Sequence, residues 1–367
     1  MKIAFFHEVS QGGARRAVFE FAKVLKKRHV VDLYYTDEKE ENTAKDIFVG
    51  TYFYKFIPKQ WIGKDWKRKL YKDTIELIAL FLLHRKIANV INKKSYDVVF
   101  LSPSKFTQAP FLLRFLSTRK VYYCQEPLRI VYEKALAVPT SWPLSRRIYE
   151  GVNRYMRKWI DRSNLGFSDT ILANSKFSKG NIARAYKRDS AVCYMGVNPK
   201  SFVPSRREKK YDVLYVGALD KTDGYDLLLE AIDKMKKKPL VKSLLRERVW
   251  IDNDKQMARL YQNAKVIVCL AKNEPFGLIP LEAMSCGIPI IAVNEAGYKE
   301  TVRHKKTGIL IRRNPEALAR ALSNVLQSKD VREKMGNLAR KDMVENWSWK
   351  KREKALEGIF KHGTEKS

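Results

Sequence analysis

Short apolar runs alternate with longer helical patterns from one end of this 367-residue chain to the other. That alternation limits the fold more than any other feature, because strands separated by helices read as parallel sheets covered by helices. In the first half the runs are 2-KIAFF-6, 30-VVDLYY-35, 97-DVVFLS-102, 120-KVYYC-124 and 170-TILAN-174. In the second half they are 191-AVCYM-195, 211-YDVLYVG-217, 248-RVWI-251, 265-KVIVCL-270, 288-IPIIAV-293 and 308-GILI-311. Between them lie helical patterns such as 14-ARRAVFEFAKVLKK-27 and 225-YDLLLEAIDKMK-236. The length suits two domains, and the expected break falls near 185–205, around Asn198, Pro199 and Pro204.

The apolar run 75-IELIALFLL-83 is far shorter than the roughly 20 residues of a spanning helix. The opening 1-MKIAFFHEVS-10 reads as a strand and not as a cleavable signal. A soluble, cytoplasmic chain is therefore expected. The four cysteines, Cys124, Cys193, Cys269 and Cys286, form no CxxC pair and read as free, buried thiols.

The net charge of +32 is uneven. Residues 51–200 carry 29 basic against 10 acidic side chains, a net of +19. Such an excess favours polyanions: an anionic membrane surface, a phosphorylated substrate or nucleic acid. No RNA- or DNA-reading motif accompanies it, so no nucleic-acid partner is expected. The segment 58–94 mixes Trp61 and Trp66 with Lys67, Arg68, Lys69 and Lys72 ahead of the apolar run. One helix over about 66–92 would make this an interfacial anchor or acceptor contact. A second basic set, Arg154, Lys158 and Arg162, recurs at helical spacing within 142–162.

The stretch 273-NEPFGLIPLEAMSCGIPIIAVNEAG-297 places Glu274 and Glu282 with seven residues between them, flanked by two strand-like runs. Glu274 falls in the loop after a strand, at the edge where open α/β sheets bind ligands. Glu282 is expected in the first turn of a helix beginning near Pro280, a residue suited to that position. Gly277 permits close approach to the backbone. The amides of Phe276, Gly277 and Leu278 at a helix start can hold hydroxyl or phosphate oxygens. Two fixed carboxylates suit a polyhydroxylated ligand. On spacing alone, a dipole-stabilising Glu282 beside a solvated Glu274 fits equally well.

This segment resembles the donor-binding motif of retaining glycosyltransferases of the GT-B fold, the large family 4 (glycosyl transferases group 1). The shared features are the Glu-seven-Glu spacing, EPFGL, the LEAM.CG.P run and 297-GYKETVRHKKTGILI-311. Five other segments are similar to the same family: 11-QGGARRAVFEFAKVLKKRHVVDL-33, 122-YYCQEPLRIVYE-133, 172-LANSKFSKGNI-182 with 194-YMGVNPKSF-202, and 347-WSWKKREKALEGIF-360. The resemblance implies two Rossmann-like domains facing a cleft, over 1–190 and 191–345, with a helix at 346–367 returning to the first. It implies a hexose moved from a nucleoside-diphosphate sugar to a lipid-linked or glycan acceptor, with retention of configuration and no metal or other cofactor. Glu282 would bind ribose hydroxyls, and Glu274 would hold the sugar. The amides of Phe276, Gly277 and Leu278 would support it, and Gly12 and Gly13 would approach the phosphates.

The chain departs from the family pattern in three places. Ala218 and Asp223 stand where an Arg and a Lys are expected, leaving Lys221, or Arg15 or Arg16, to neutralise the diphosphate. The stretch 231–265 is short, so the second domain is expected to lack about one strand–helix unit. Gln125 replaces a frequent histidine; it can hydrogen-bond a hydroxyl but cannot shuttle a proton. These changes leave open a degenerate member that binds a nucleotide sugar or a partner transferase without turnover. Two further signals are weaker. The triplet 252-DND-254 precedes a helical pattern and reads as a cap before a metal site, and His7 ends the first strand beside the Gly-rich loop.

Overall fold

A computed structural model describes residues 1–9, 12–36, 44–56, 66–133, 136–244 and 253–362. The chain divides into two compact units. The first comprises Met1–Asn174, Ser178–Cys193 and Leu356–Ser367, and the second Ser175–Phe177 and Tyr194–Ala355.

The first unit is a parallel sheet in the order β3-β2-β1-β4-β5-β6-β7. Its elements run β1 (Lys2–His7), α1 (Gly13–Leu25), β2 (Val30–Tyr35), β3 (Gly50–Phe53), α2 (Trp66–Asp73), α3 (Ile75–Asn92), β4 (Val98–Leu101), β5 (Arg119–Cys124), α4 (Leu144–Gly166), β6 (Thr170–Ala173), α5 (Lys176–Tyr186) and β7 (Ala191–Val192). Strands β4 and β6 are buried at every position, as expected of a sheet covered on both faces. Strand order reverses between β1 and β4, so their carboxyl ends form the edge favoured for ligands.

The second unit holds a parallel sheet ordered β12-β11-β10-β8-β9. Its elements are β8 (Tyr211–Val216), α6 (Tyr225–Asp233), β9 (Val241–Leu244), α7 (Asp254–Gln262), β10 (Ala264–Cys269), α8 (Leu278–Ser285), β11 (Ile290–Val293), β12 (Gly308–Ile311), α9 (Pro315–Gln327), α10 (Lys329–Asn346) and the start of α11 (Trp349–His362), which from Leu356 onward belongs to the first unit. Here the order reverses between β8 and β10.

Several expectations change. The run at 191–195, assigned from sequence to the second half, contributes β7 to the edge of the first sheet. Strands β3 and β9 are not evident in the sequence, because each is a short, half-buried edge strand with little apolar contrast. The run 248–251 lies outside the described residues. The single helix expected over 66–92 is two helices. Thr74 leaves the helical region at φ −128°, ψ −81°, and its hydroxyl donates to the Leu70 carbonyl at 2.6 Å. The four cysteines are free and buried.

Candidate active site

The site is built at the carboxyl ends of β8 and β10, where the second sheet changes direction. The two following loops are joined through backbone. Lys272 donates to the Thr222 carbonyl at 2.8 Å. Gly224, at φ +79°, lies so close to β10's exit that a Cβ there would stand 2.5 Å from the Leu270 carbonyl oxygen. Arg313 holds the same exit. Its guanidinium donates to the carbonyls of Leu270 (2.8 Å) and Ala271 (3.3 Å) and pairs with Glu295 at 2.7 Å.

From that exit the chain turns through Asn273 at φ +54° and reaches Glu274, which is half-buried. The Glu274 Oε1 accepts the Gly277 amide at 3.1 Å, and the Glu274 carbonyl accepts the Gly297 amide at 2.9 Å. The Ser175 hydroxyl donates to the Pro275 carbonyl at 2.6 Å. Phe276 is 1 % exposed, with its ring 5.9 Å from Trp347 and 6.2 Å from Tyr194. Its side chain is therefore a core anchor, and only its backbone faces the loop. Gly297 has no room for a side chain, since a Cβ would come within 2.5 Å of the Phe276 Cα. The loop is thus held by hydrogen bonds to its backbone and by close packing at Gly297.

Gly277, at φ +94°, caps α8, so the helix starts at Leu278. Glu282 is consequently the fifth helical residue, in the second turn and not the first. The left-handed glycine starts the helix ahead of Pro280 and rotates Glu282 inward. It is 4 % exposed and accepts the Tyr261 hydroxyl at 2.7 Å. The neighbouring Cys286 thiol is pushed up to about 12, by burial first and then by the Glu282 carboxylate. Tyr261, on α7, is a partner that sequence reasoning missed. It falls at the end of an amphipathic helix and looks like core.

The loop after β8 corrects the expected role of Asp223. Its Oδ2 accepts the Ala218 amide at 2.7 Å, while the Tyr215 hydroxyl donates to the carbonyls of Ala218 (2.6 Å) and Asp223 (3.2 Å). The carboxylate is thus employed in closing its own loop. Lys221 lies at the exposed tip of that turn.

In the first unit, Gly12 and Gly13 begin α1 at the carboxyl end of β1, and Arg16 donates to the Gly12 carbonyl at 3.1 Å. Arg15 is buried over the Phe19 ring at 5.2 Å. His7 is fully buried, and burial, followed by the Arg15 charge, pulls it down to about 3. It is therefore neutral near pH 7 and packs near Tyr35. Next to it Glu8 pairs with His84 at 3.0 Å, both side chains fully buried. Neither residue is singled out by sequence, since they lie 76 positions apart and meet only through the sheet. Gln125 follows β5; its carbonyl accepts the Ser178 hydroxyl at 2.7 Å, and its Nε2 is buried without a hydrogen-bond partner among the described residues.

Asn253 caps α7, its side chain accepting the amides of Lys255 (2.9 Å) and Gln256 (3.3 Å). The triplet therefore serves as a helix cap at this position, while its Asp252 lies outside the described residues. Trp61 also lies outside them. Trp66, Lys67, Arg68 and Lys69 open α2, with Trp66 70 % exposed. Arg154, expected on a basic outer face, donates instead to the carbonyls of Ile130 and Leu136, each at 2.6 Å. The outer face of α4 is apolar.

Residues 247–342 match the family model described as glycosyl transferases group 1. An alpha-1,3/1,6-mannosyltransferase, ALG2, of Rhizomucor pusillus is 22% identical, the match covering 95% of this chain and 89% of the relative. The human ALG2 is 26% identical over 70% of each. An uncharacterized glycosyltransferase of Methanocaldococcus jannaschii is 27% identical over 46% of this chain, and the match spans about half (53%) of that relative. Among solved structures, sucrose-phosphate synthase from Thermosynechococcus elongatus superposes with a TM-score of 0.73 at 17% identity, covering 98% of both chains. Anabaena HepE in complex with UDP and glucose gives 0.71 at 16% identity, covering 99% of this chain and 100% of that one. Two parallel sheets, the strand-to-helix turn carrying Glu274 and Glu282, and these similarities agree: the chain has the GT-B fold, and its residues 247–342 match the glycosyl transferases group 1 family.

Proposed function

We propose that this glycosyltransferase moves a hexose from a nucleoside-diphosphate sugar to a lipid-linked or glycan acceptor, with retention of configuration, at the cytosolic face of a membrane. The observation that carries this reading is the fixed pair Glu274 and Glu282 flanking a rigid turn where the second sheet reverses. Glu282, buried and oriented by Tyr261, binds the ribose hydroxyls. Glu274, pinned by the Gly277 amide, accepts hydroxyls of the sugar. The Gln125 amide, which has no partner among the described residues, donates to a hydroxyl. Gly12, Gly13 and Lys221 serve the phosphates, and the amides of Phe276 and Leu278 support the sugar. The C1–O bond to the diphosphate breaks, the acceptor oxygen takes its place, and the acceptor's proton leaves with the nucleoside diphosphate. Cations and helix ends stabilise the departing charge without a metal; activity that survives chelation supports this part.

The relatives' descriptions favour a sugar-nucleotide donor: ALG2 is named a mannosyltransferase, and HepE was solved with UDP-glucose. A lipid-linked acceptor gains support from the similar fold of WaaG, described as acting in lipopolysaccharide biosynthesis. Among the described residues no helix is long and apolar enough to cross a membrane. The test is thermal stability against UDP-, GDP-, ADP- and dTDP-sugars. One donor class should raise the melting temperature, and Glu282→Ala should abolish the rise. A well-folded protein that responds to none of them contradicts the donor site.

One observation favours a second reading, a nucleotide-sugar or partner-transferase binder without turnover. Asp223 is committed to its own loop, and Ala218 contributes no charge there. Donor consumption that vanishes in Glu274→Ala decides for the enzyme; binding without consumption decides for the binder.

A further inference from the structure

Helix α4 is amphipathic in an unusual sense: a continuous apolar stripe faces outward. Leu144, Ile148, Val152, Tyr155, Met156 and Trp159 recur at helical spacing and are all exposed, Leu144 and Tyr155 by 69 % each. On the adjoining helices Trp66, Leu70, Ile75, Ile78 and Leu82 are exposed as well. An apolar surface of this extent, rimmed by charge, marks an interaction site.

Where α2 meets the first turns of α4 there is a cavity of about 880 Å³. Arg68, Lys69, Lys72 and Arg146 bring charge to its wall, Trp66, Leu70 and Tyr149 bring apolar surface, and Ser145 a hydroxyl; no carboxylate lines it among the described residues. The cavity is held open by a fixed scaffold. Asp73, at the end of α2, accepts from the Tyr149 hydroxyl and the Asn153 amide, each at 3.0 Å, and from Arg157 at 2.5 Å. Lys69 pairs with Glu150. The first turn of α4 carries no acidic residue, so its positive helix end is open to an anion. Burial, partly offset by Asp73, and then the charges of Arg146, Arg157 and Arg154 lower the Lys69 ammonium, as expected where cations outnumber anions.

We propose that this cavity binds the phosphate headgroup of an anionic membrane lipid, whose acyl chains lie along the apolar stripe of α4. The proposal rests on the membrane-face reading above and gives it a location. Charge complementarity selects an anionic partner, and the stripe selects an amphiphile over a nucleic acid, which has phosphates but no apolar surface of this length to offer.

The test is sedimentation of the full chain with phosphatidylcholine vesicles, with and without phosphatidylglycerol. Binding should require phosphatidylglycerol and weaken with salt. Soluble glycerol phosphate should compete only weakly, because it lacks the chains. Lys72→Gln with Arg146→Gln should lower affinity by about thirty-fold, at about 1 kcal/mol for each basic residue near the surface. Lys236→Gln with Lys334→Gln removes the same charge from exposed positions that line neither the cavity nor the stripe and should change affinity by less than about two-fold. Ile148→Ser with Trp159→Ser should weaken binding about tenfold while leaving the salt dependence intact. If the wild type ignores anionic vesicles, or prefers an RNA duplex, both the pocket and the membrane-face reading fall. If the wild type binds but the pocket pair binds equally well, the pocket alone is refuted. Neither outcome depends on glycosyl transfer, so loss of the donor site would leave the vesicle result unchanged.

Discussion

Glu282 keeps its carboxylate beneath the surface with the Tyr261 hydroxyl as a donor, and a hydrogen bond to a charged group contributes about 1.5–3 kcal/mol. Tyr261→Phe should therefore lower unfolding free energy by that amount in urea titration and weaken donor binding as Glu282 loses its orientation. Unchanged donor binding in that variant would separate the tyrosine from the site. Asp161 is a second buried carboxyl. Burial lifts it from 3.8 to about 7, against the opposing hydrogen bonds from Tyr186 (2.7 Å) and the Ala109 amide (3.0 Å). A carboxyl raised on folding holds its proton more tightly in the native state. Its contribution is thus full below pH about 4, falls as pH rises toward 7, and is gone above that. Asp161→Asn should flatten this part of the stability profile between pH 4 and 7 and gain on the wild type at pH 8. Parallel profiles for the two proteins would count against the assignment.

At the scale of elements, the candidate active-site turn is held by glycines whose places admit no side chain. Gly224→Ala would impose a left-handed alanine with its Cβ 2.5 Å from the Leu270 carbonyl. Backbone must shift, so a loss of about 1–3 kcal/mol is expected, together with a weaker donor-induced thermal shift, because the loops after β8 and β10 would part. A fully stable variant would show that the loops accommodate the methyl group. The carboxylate spacing and the strand-to-helix turn were legible in the sequence, since a Phe-Gly pair between apolar runs is local information. The brace by Tyr261, the use of Asp223 on Ala218, and the pairing of Glu8 with His84 were not. Each depends on side chains brought together by sheet order. The break at Thr74 also escaped, because the 66–92 pattern is helical on both sides of it.

Across the whole molecule, the chain's last stretch is part of the first unit's core. Phe360 is 1 % exposed and stacks on Phe100 at 5.9 Å, Arg28 pairs with Glu357 at 2.9 Å, and Arg119 donates to the carbonyls of Ile359 and Phe360 at 2.9 Å each. Phe360→Ala should cost about 3–5 kcal/mol. Differential scanning calorimetry should show the loss in the first unit's transition, with the second unit's unmoved. A shift of equal size in both transitions would mean that the helix does not act on the first unit alone.

The sequence by itself determined the class of fold, the strands of strong apolar contrast, and the placing of Glu274 and Glu282 about a strand-to-helix turn. These follow from periodicity and from residue types a few positions apart. The tertiary structure alone decided which face of α4 is covered, where β3, β7 and β9 pair, and which carboxylates are braced. Periodicity says that a helix has an apolar face, but only packing says what that face meets. Here the apolar stripe of α4 is left exposed beside a basic cavity, while Arg154, counted among the surface cations, is turned to backbone carbonyls.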